Sequence, residues 1–411
     1  MRASVTLKDA IRPWSVDEFL ATHWEREPLV LQRADRGYFA SLISTPEFDQ
    51  IVATTGLRDP YFRILRAGTI LPVAQTTTSR QLGPDLDSGL ADLNKLYDEY
   101  ASGGTLALQA AEHWWPPLRV VAADFQAALG FPTQVHVYLT PVHAQGAPVH
   151  YDTHEVFVLQ VEGRKTWDVW QPTIDLPMRM SEDAYDIRAV DERAKTAPLL
   201  SVSLEAGDSL YLPRGFIHRA RTDADPSLHV TISVMVDRWV DVAAAAVSRR
   251  LIALRDDVDI RTSIPFGRTP FAEPSADEAE RFEAVSARLL DGLGDDLRAA
   301  FASIATASAV PQVPSVRGRF VDLVTAPTIA DNTALTMRPE PLARVIRTSS
   351  SVTIRAHDEQ LVVDERHRPA LDIVFSRHRF RPSEWSDTLD PVERIDFAKK
   401  LVELGVCMVS A

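Results

Sequence analysis

The tripeptide His150-Tyr151-Asp152 sets a histidine and a carboxylate two residues apart, just ahead of the β-rich run EVFVLQV. On a strand, residues i and i+2 share a face, so His150 and Asp152 are expected to project together as two legs of a chelate. A third leg is offered downstream in GDSLYLPRGFIH. There Gly207 and Asp208 make a turn, a strand follows, Pro213 and Gly215 turn again, and His218 comes next. Two imidazoles and one carboxylate form a facial triad that leaves coordination positions open and suits non-haem Fe(II). An isolated H-x-D is common, and His143, His154 and His229 show that histidines also occur nearby without such a role. The joint occurrence of the two motifs, on strands, is what favours a metal centre.

Lys165 adds a second kind of chemistry. The chain has six lysines (Lys8, Lys95, Lys165, Lys195, Lys399 and Lys400) among 44 basic residues, so one between a turn and Trp167 stands out. Glu162-Gly163-Arg164 is expected to turn the chain, so that KTWDVW returns antiparallel beside the metal strand. A turn lysine reaching to water is the plainer reading. A lysine inside a barrel would need an anionic ligand, because an unpaired buried ammonium is costly. In SLHVTISV, Ser233 shares a face with His229 and Thr231. Its hydroxyl is either a second donor to the same anion or a core group bonded to backbone.

The elements that must position these groups follow from periodicity. From Phe131 to about Val240 the pattern has period two: TQVHVYLT, EVFVLQV, KTWDVWQ, LLSVSLEAGDSLYLP and LHVTISVMV are rich in β-branched and aromatic residues. Such a set predicts a barrel or sandwich. Before it, PWSVDEFLATHW opens a helix with a Ser15/Glu18 capping box. EPLVLQR reads as a strand, and Arg58 to Pro84 as a broken stretch. SGLADLNKLYDEYASGG is expected to be helical, TLALQA a strand, and PPLRVVAADFQAALG a helix stopped at Gly130. After Trp239 two alanine- and leucine-rich amphipathic segments follow. AVPQVPSV reads as a linker, and the last 80 or so residues as a small α+β module whose helix DPVERIDFAKKLVELG starts at Asp390.

Composition narrows the function. The 411 residues are too many for one core, so two or three domains are expected. A net charge of −13 argues against a general nucleic-acid binder and is compatible with a cationic partner. The single cysteine, Cys407, excludes a disulfide framework and a cysteine zinc site, and fits a reducing compartment. Neither a signal peptide nor a membrane span is expected, and cytoplasm is the default location.

The segments VYLTPVHAQGAPVHYDTHEVFVLQVEGRKTWDVW, LEAGDSLYLPRGFIH and SLHVTIS resemble the JmjC-type cupins of the ribosomal oxygenase group, over roughly residues 130 to 240. The resemblance implies an α+β chain on a double-stranded β-helix (cupin, jelly-roll) barrel. Its parts would be an N-terminal extension (1–130), the barrel (131–240), a helical dimerisation region (241–325) and a winged-helix-like C-terminal module (326–411). It implies an Fe(II)- and 2-oxoglutarate-dependent oxygenase that uses O2 to hydroxylate a polypeptide side chain, an arginine or histidine of a ribosomal protein. The chain would work as a homodimer, with no direct nucleic-acid or membrane contact. Carried over by position, His150, Asp152 and His218 become the iron ligands. Lys165 becomes the partner of the distal carboxylate of 2-oxoglutarate, and Ser233 its helper. Tyr138 would line the substrate pocket. Where the family often has an asparagine near the co-substrate, this chain has His136, which either hydrogen-bonds the same group or marks a changed pocket. The competing readings are a non-oxygenase metallocupin such as an isomerase, a peptide-natural-product hydroxylase, a lysine demethylase and an idle binding cupin. Isomerase-type cupins more usually present H-x-H with a further glutamate, and Lys165 has no role in them.

Overall fold

One long strand, Glu155–Trp170, belongs to two antiparallel sheets at once. The computed structural model describes residues 5–178, 186–264, 274–308, 318–338, 343–347, 351–356, 359–377 and 379–410. The first half of the long strand lies in a large sheet between Ser209–Leu212 and Ser227–Val234. That sheet continues through Thr133–Thr140, Thr105–Leu108 and Phe62–Arg66. The second half lies in a smaller sheet between Leu200–Glu205 and Ile217–Arg221. Bridges His150–His218 and Gln145–Arg221 join the preceding segment to that smaller sheet.

The crossing point is Gly163. The chain does not reverse there, as the turn residues had suggested; it bends and runs on as one strand. The backbone at Gly163 has φ +68°, and a Cβ would sit 1.8 Å from the carbonyl oxygen of Pro226, so only glycine fits. A bulge opposite Leu228/His229 leaves Val161 without a register partner. Together they shift the side-chain alternation by one. Val156 and Val158 face the barrel interior before the bend, whereas Trp167 and Val169 do so after it.

The outer face of the large sheet carries Val135, Val137, Phe157, Leu159, Leu228, Val230 and Ile232. It packs against Phe19, Leu118, Val121 and Phe125 of the N-terminal helices. Burying each such large apolar side chain is worth about 1.5–3 kcal/mol. The helix Val16–Thr22 starts with the expected Ser15/Glu18 capping box, and Pro116–Leu129 ends at Gly130 in the left-handed region. Two expectations fail here. The stretch from Arg58 to Pro84 holds the strands Phe62–Arg66, Thr69–Ile70 and Thr77–Leu82, and Asp85–Ala91 is a strand paired with the last of these. The helix expected from Ser88 therefore begins only at Leu93, capped by Asp92.

Residues 236–310 form a separate unit of helices, Trp239–Ala253, Ala276–Leu290 and Leu293–Ser308. Its buried apolar residues are few: Val242, Ala246 and Ala300. Trp239, Leu251, Ile252 and Leu290 are exposed, at 78%, 51%, 55% and 68%. The C-terminal residues have their own core around Trp385, Phe397 and Leu401, with two three-stranded sheets and the expected helix Pro391–Glu403 capped by Asp390. Helix Arg319–Thr325 packs on Pro391–Glu403 and Cys407–Val409, and Asp322 pairs with the buried Arg338. It therefore belongs with this module and not with the helical region that the sequence had extended to 325. The expected linker at 309–316 lies outside the described residues.

Candidate active site

The three expected ligands meet at one end of the barrel, with one donor atom from each of His150, Asp152 and His218 lying within 4.8 Å of the others. His150 Nε2 is 4.0 Å from one Asp152 carboxylate oxygen, and His218 Nε2 is 3.7 Å from the other. His218 stands on the strand Ile217–Arg221. His150 and Asp152 do not share a strand as expected: His150 forms an isolated bridge to His218, and Asp152 lies in the loop before Glu155. The chelate survives because that bridge fixes the loop against the strand bearing the third ligand.

Both ligand histidines are held the same way. Nδ1 of His150 donates to the Pro148 carbonyl at 2.8 Å, and Nδ1 of His218 to the Phe216 carbonyl at 3.0 Å. A nitrogen facing a carbonyl must carry the proton, so each Nε2 presents its lone pair to the site. Burial, and then the neighbouring His150, push His218 down to about 4, so its ring is neutral at pH 7. Burial opposes charge on Asp152, yet His154, His150 and His218 together hold its carboxyl down to about 2. A carboxylate beside two imidazole Nε2 atoms is the donor set that a divalent first-row metal takes.

A cavity of about 510 Å³ opens from this cluster, lined among others by Arg63, Gln109, His136, Tyr138, Lys165, Trp167, His229 and Ser233. Lys165 points inward and is 4% exposed. Its ammonium donates to Thr140 Oγ1 at 2.9 Å, and Thr105 Oγ1 donates to the same hydroxyl at 3.2 Å. Burial pushes Lys165 down to about 7. Among the described residues no carboxylate pairs with it, whereas Arg164 pairs outward with Glu205 and Arg219 with Asp168.

The other candidates fall in different places. Ser233 lines the cavity, but it lies opposite Val156, at the triad end of the barrel. Lys165 bonds Thr140, whose partner on the same strand is Ser227, six residues back. At a strand rise of about 3.3 Å per residue, Ser233 is roughly 20 Å along from that point, so the two do not meet as the sequence had suggested. Tyr138 is in the cavity, its hydroxyl hydrogen-bonded with Gln109 and pushed up to about 12 by burial. His136 accepts from the Ala110 amide at Nδ1 (3.3 Å), which leaves Nε2–H as its donor. Burial, then His154, lowers it to about 4. Trp170 is core, donating to the Thr196 carbonyl at 2.9 Å and packing with Tyr151 and Ile217. Thr140, Thr105 and Gln109 were missed. The signal was present for Thr140, which shares the even-numbered face of TQVHVYLT with His136 and Tyr138.

A double-stranded β-helix with two Nε2 donors and a carboxylate at one end is a metal-binding cupin. Residues 119–242 match the JmjC domain. The chain carries a JmjC domain and is homologous to ribosomal oxygenase 1 and to NO66. It is 34% identical to ribosomal oxygenase 1 of Gallus gallus over 275 residues, 64% of this chain and 42% of the relative. It is 31% identical to the bifunctional lysine-specific demethylase and histidyl-hydroxylase NO66 of Culex quinquefasciatus over 259 residues, 61% of this chain and 37% of the relative. The chain thus spans less than half the length of these relatives. The Escherichia coli ribosomal oxygenase YcfD shares its fold, with TM-score 0.53 and 18% identity over 97% of this chain and 98% of that one. A YcfD structure in complex with cobalt and 2-oxoglutarate aligns at TM-score 0.52 and 16% identity, over 97% and 99% of the two chains. Among the described residues no helix is long and apolar enough to cross a membrane.

Proposed function

We propose that the protein is an Fe(II)- and 2-oxoglutarate-dependent oxygenase that hydroxylates a polypeptide side chain, an arginine or histidine of a ribosomal protein. The observation that carries this reading is the pairing, in one cavity, of a two-histidine, one-carboxylate cluster with a buried lysine that has no anion of its own. The relatives' names point the same way: ribosomal oxygenase, histidyl-hydroxylase, and a complex with cobalt and 2-oxoglutarate.

His150, Asp152 and His218 would hold the metal, and their donor set fits it. When bound, Fe(II) supplies dioxygen activation coupled to decarboxylation of 2-oxoglutarate to succinate and CO2. The protein's own groups do the rest. The Pro148 and Phe216 carbonyls keep both Nδ1 atoms protonated and both Nε2 atoms free. Lys165 gives the distal carboxylate a charge-assisted bond, and the Thr140 hydroxyl stands beside it. Trp167 and Val156 line the space between and exclude water. The excess of acid over base, −13, favours the approach of a basic segment without setting specificity.

The same reading makes the protein a cytoplasmic homodimer joined through the helices of 239–308. Support comes from the exposed apolar residues there and from the single buried cysteine. The C-terminal residues are read as a winged-helix-like module. Purified enzyme with Fe(II) and 2-oxoglutarate, offered ribosomal-protein peptides and a panel of metabolites, tests the substrate class. A peptide gaining the mass of one oxygen atom is the expected result. Coupled hydroxylation of a metabolite, with no peptide modified, would overturn the polypeptide reading.

A further inference from the structure

Arg214 lies outside the cavity, is 6% exposed, and sits where the segments bearing two of the three triad residues meet. It precedes Gly215, whose N–H donates to the Asp152 carbonyl at 2.9 Å, and Phe216, whose carbonyl accepts from His218 Nδ1 at 3.0 Å. Its guanidinium is set between two carboxylates. Nη2 donates to Glu25 at 2.6 Å, whereas Nε stays 3.6 Å from Glu155, too far for a hydrogen bond. Glu155 is fully buried and opens the long strand just after the Asp152 loop. Tyr211 completes the ring of contacts: its hydroxyl donates to Glu155 at 2.5 Å and accepts from the Glu25 amide at 3.0 Å. Phe19, Trp24 and Phe157 all pack on the Tyr211 ring and fix it in place.

Glu25 comes from the turn after the helix Val16–Thr22, far from the barrel in sequence. Its φ is +57°, in the left-handed region where a side chain is disfavoured and glycine is not. Such strain persists only where the surroundings impose it. Here they impose it twice, through the amide bonded to Tyr211 and the carboxylate bonded to Arg214. A glycine would suit the turn better but could not hold the guanidinium. A guanidinium this buried needs a carboxylate partner. Without Glu25 the remaining one is Glu155. Arg214 would then turn toward Glu155 and pull on the residues that flank Asp152 on one side and His218 on the other.

We infer that Glu25 is a positioning residue for the metal centre, holding Arg214 so that the segments carrying Asp152 and His218 keep the spacing a divalent metal requires. The N-terminal extension thereby takes part in the metal site without touching the metal. Coupling of this kind is reciprocal, so a metal at the triad must in turn tighten the turn at Glu25. The inference rests on the metal-centre reading of the triad.

The test uses Co(II) alone on the full-length chain. Calorimetry gives the affinity, and the visible d–d bands report the coordination geometry. Glu25→Gly removes the carboxylate and suits the backbone, so the fold is expected to hold, with circular dichroism as the check. Co(II) is expected to bind it about 10-fold more weakly, the usual cost of losing a group that orients a ligand, and with shifted bands. Glu25→Gln, which keeps an oxygen for Arg214, is expected to restore the wild-type bands and most of the affinity. A role in folding alone would lower the melting temperature and leave affinity and bands unchanged in the folded protein. If Glu25→Gly fails to fold, the wild type decides: Co(II) is expected to slow amide hydrogen exchange in the turn at 23–26 while the helix Pro391–Glu403 exchanges as before. Unchanged affinity and bands in Glu25→Gly, a Glu25→Gln no closer to the wild type, or a turn that exchanges alike with and without Co(II), would overturn the role of Glu25. A wild-type chain that binds no Co(II) would instead overturn the metal centre itself, and this inference with it.

Discussion

At the scale of single residues the proposed function gives the site two tasks, metal ligation and anion capture. Ligation needs both Nε2 lone pairs and the Asp152 carboxylate, so removing any one opens the chelate. His218→Ala is expected to lose Fe(II) binding, measured by calorimetry under anaerobic conditions; wild-type-like affinity would remove His218 from the ligand set. Capture rests on Lys165. Lys165→Ala is expected to weaken 2-oxoglutarate by about 2–5 kcal/mol, the cost of truncating one partner of a buried charged pair. The same lysine carries a pH signature. Its folded value of about 7 lies below the 10.5 of an open chain. Below about 7 it is charged in both states, and the fold bears the full cost of burying the charge. Between about 7 and 10.5 the folded state sheds the proton and that cost fades, so stability rises with pH across this window. Lys165→Met in the unliganded protein should therefore raise the melting temperature near pH 7 and lose that advantage by pH 10. An advantage of the same size at both ends would mean that Lys165 is not buried as a charge.

At the scale of elements, Gly163 decides where Lys165 points. Strict alternation from Val156 and Val158 puts residue 165 on the outer face of the strand; the bulge at Val161 and the bend at Gly163 bring it inside. Gly163→Ala would place a methyl group against the Pro226 carbonyl at a positive φ. It should cost about 1–3 kcal/mol from the backbone conformation alone, and it should weaken 2-oxoglutarate binding as well. Urea unfolding reads the first effect, and an unchanged midpoint would mean that the Pro226 segment yields freely. The same element shows what was legible in the sequence. Period two located the strands, and the histidine and aspartate spacing located the candidate ligands that cluster, because both are local patterns. The bend was misread as a hairpin, because a glycine flanked by charges looks the same in either case. Ser233 was placed correctly on the inner face and wrongly beside Lys165, since periodicity gives the face of a strand but not the position along a partner. Thr140 was legible only as a member of the inward face it shares with His136 and Tyr138; its bond to Lys165 is what marks it.

At the scale of the whole molecule, the helices of 236–310 present more apolar surface than their few buried residues absorb. Trp239 stacks on Phe301 at 5.8 Å, and both rings are exposed. Exposed apolar side chains in such number on one small unit point to an interface. Small-angle scattering at micromolar concentration should give twice the 45.6 kDa chain mass, and Leu251→Asp with Ile252→Asp should return it to one chain. A single-chain mass for the wild type would contradict the dimer while leaving the site untouched. The central claim concerns chemistry, and one measurement meets it directly. Purified protein is incubated in air with Fe(II), 2-oxoglutarate and ribosomal protein, and succinate is quantified for the wild type and for His218→Ala. The account predicts succinate formed in step with hydroxylated product by the wild type and none above background by the variant. Iron-loaded wild type that yields no succinate, or a variant that yields as much, would contradict it.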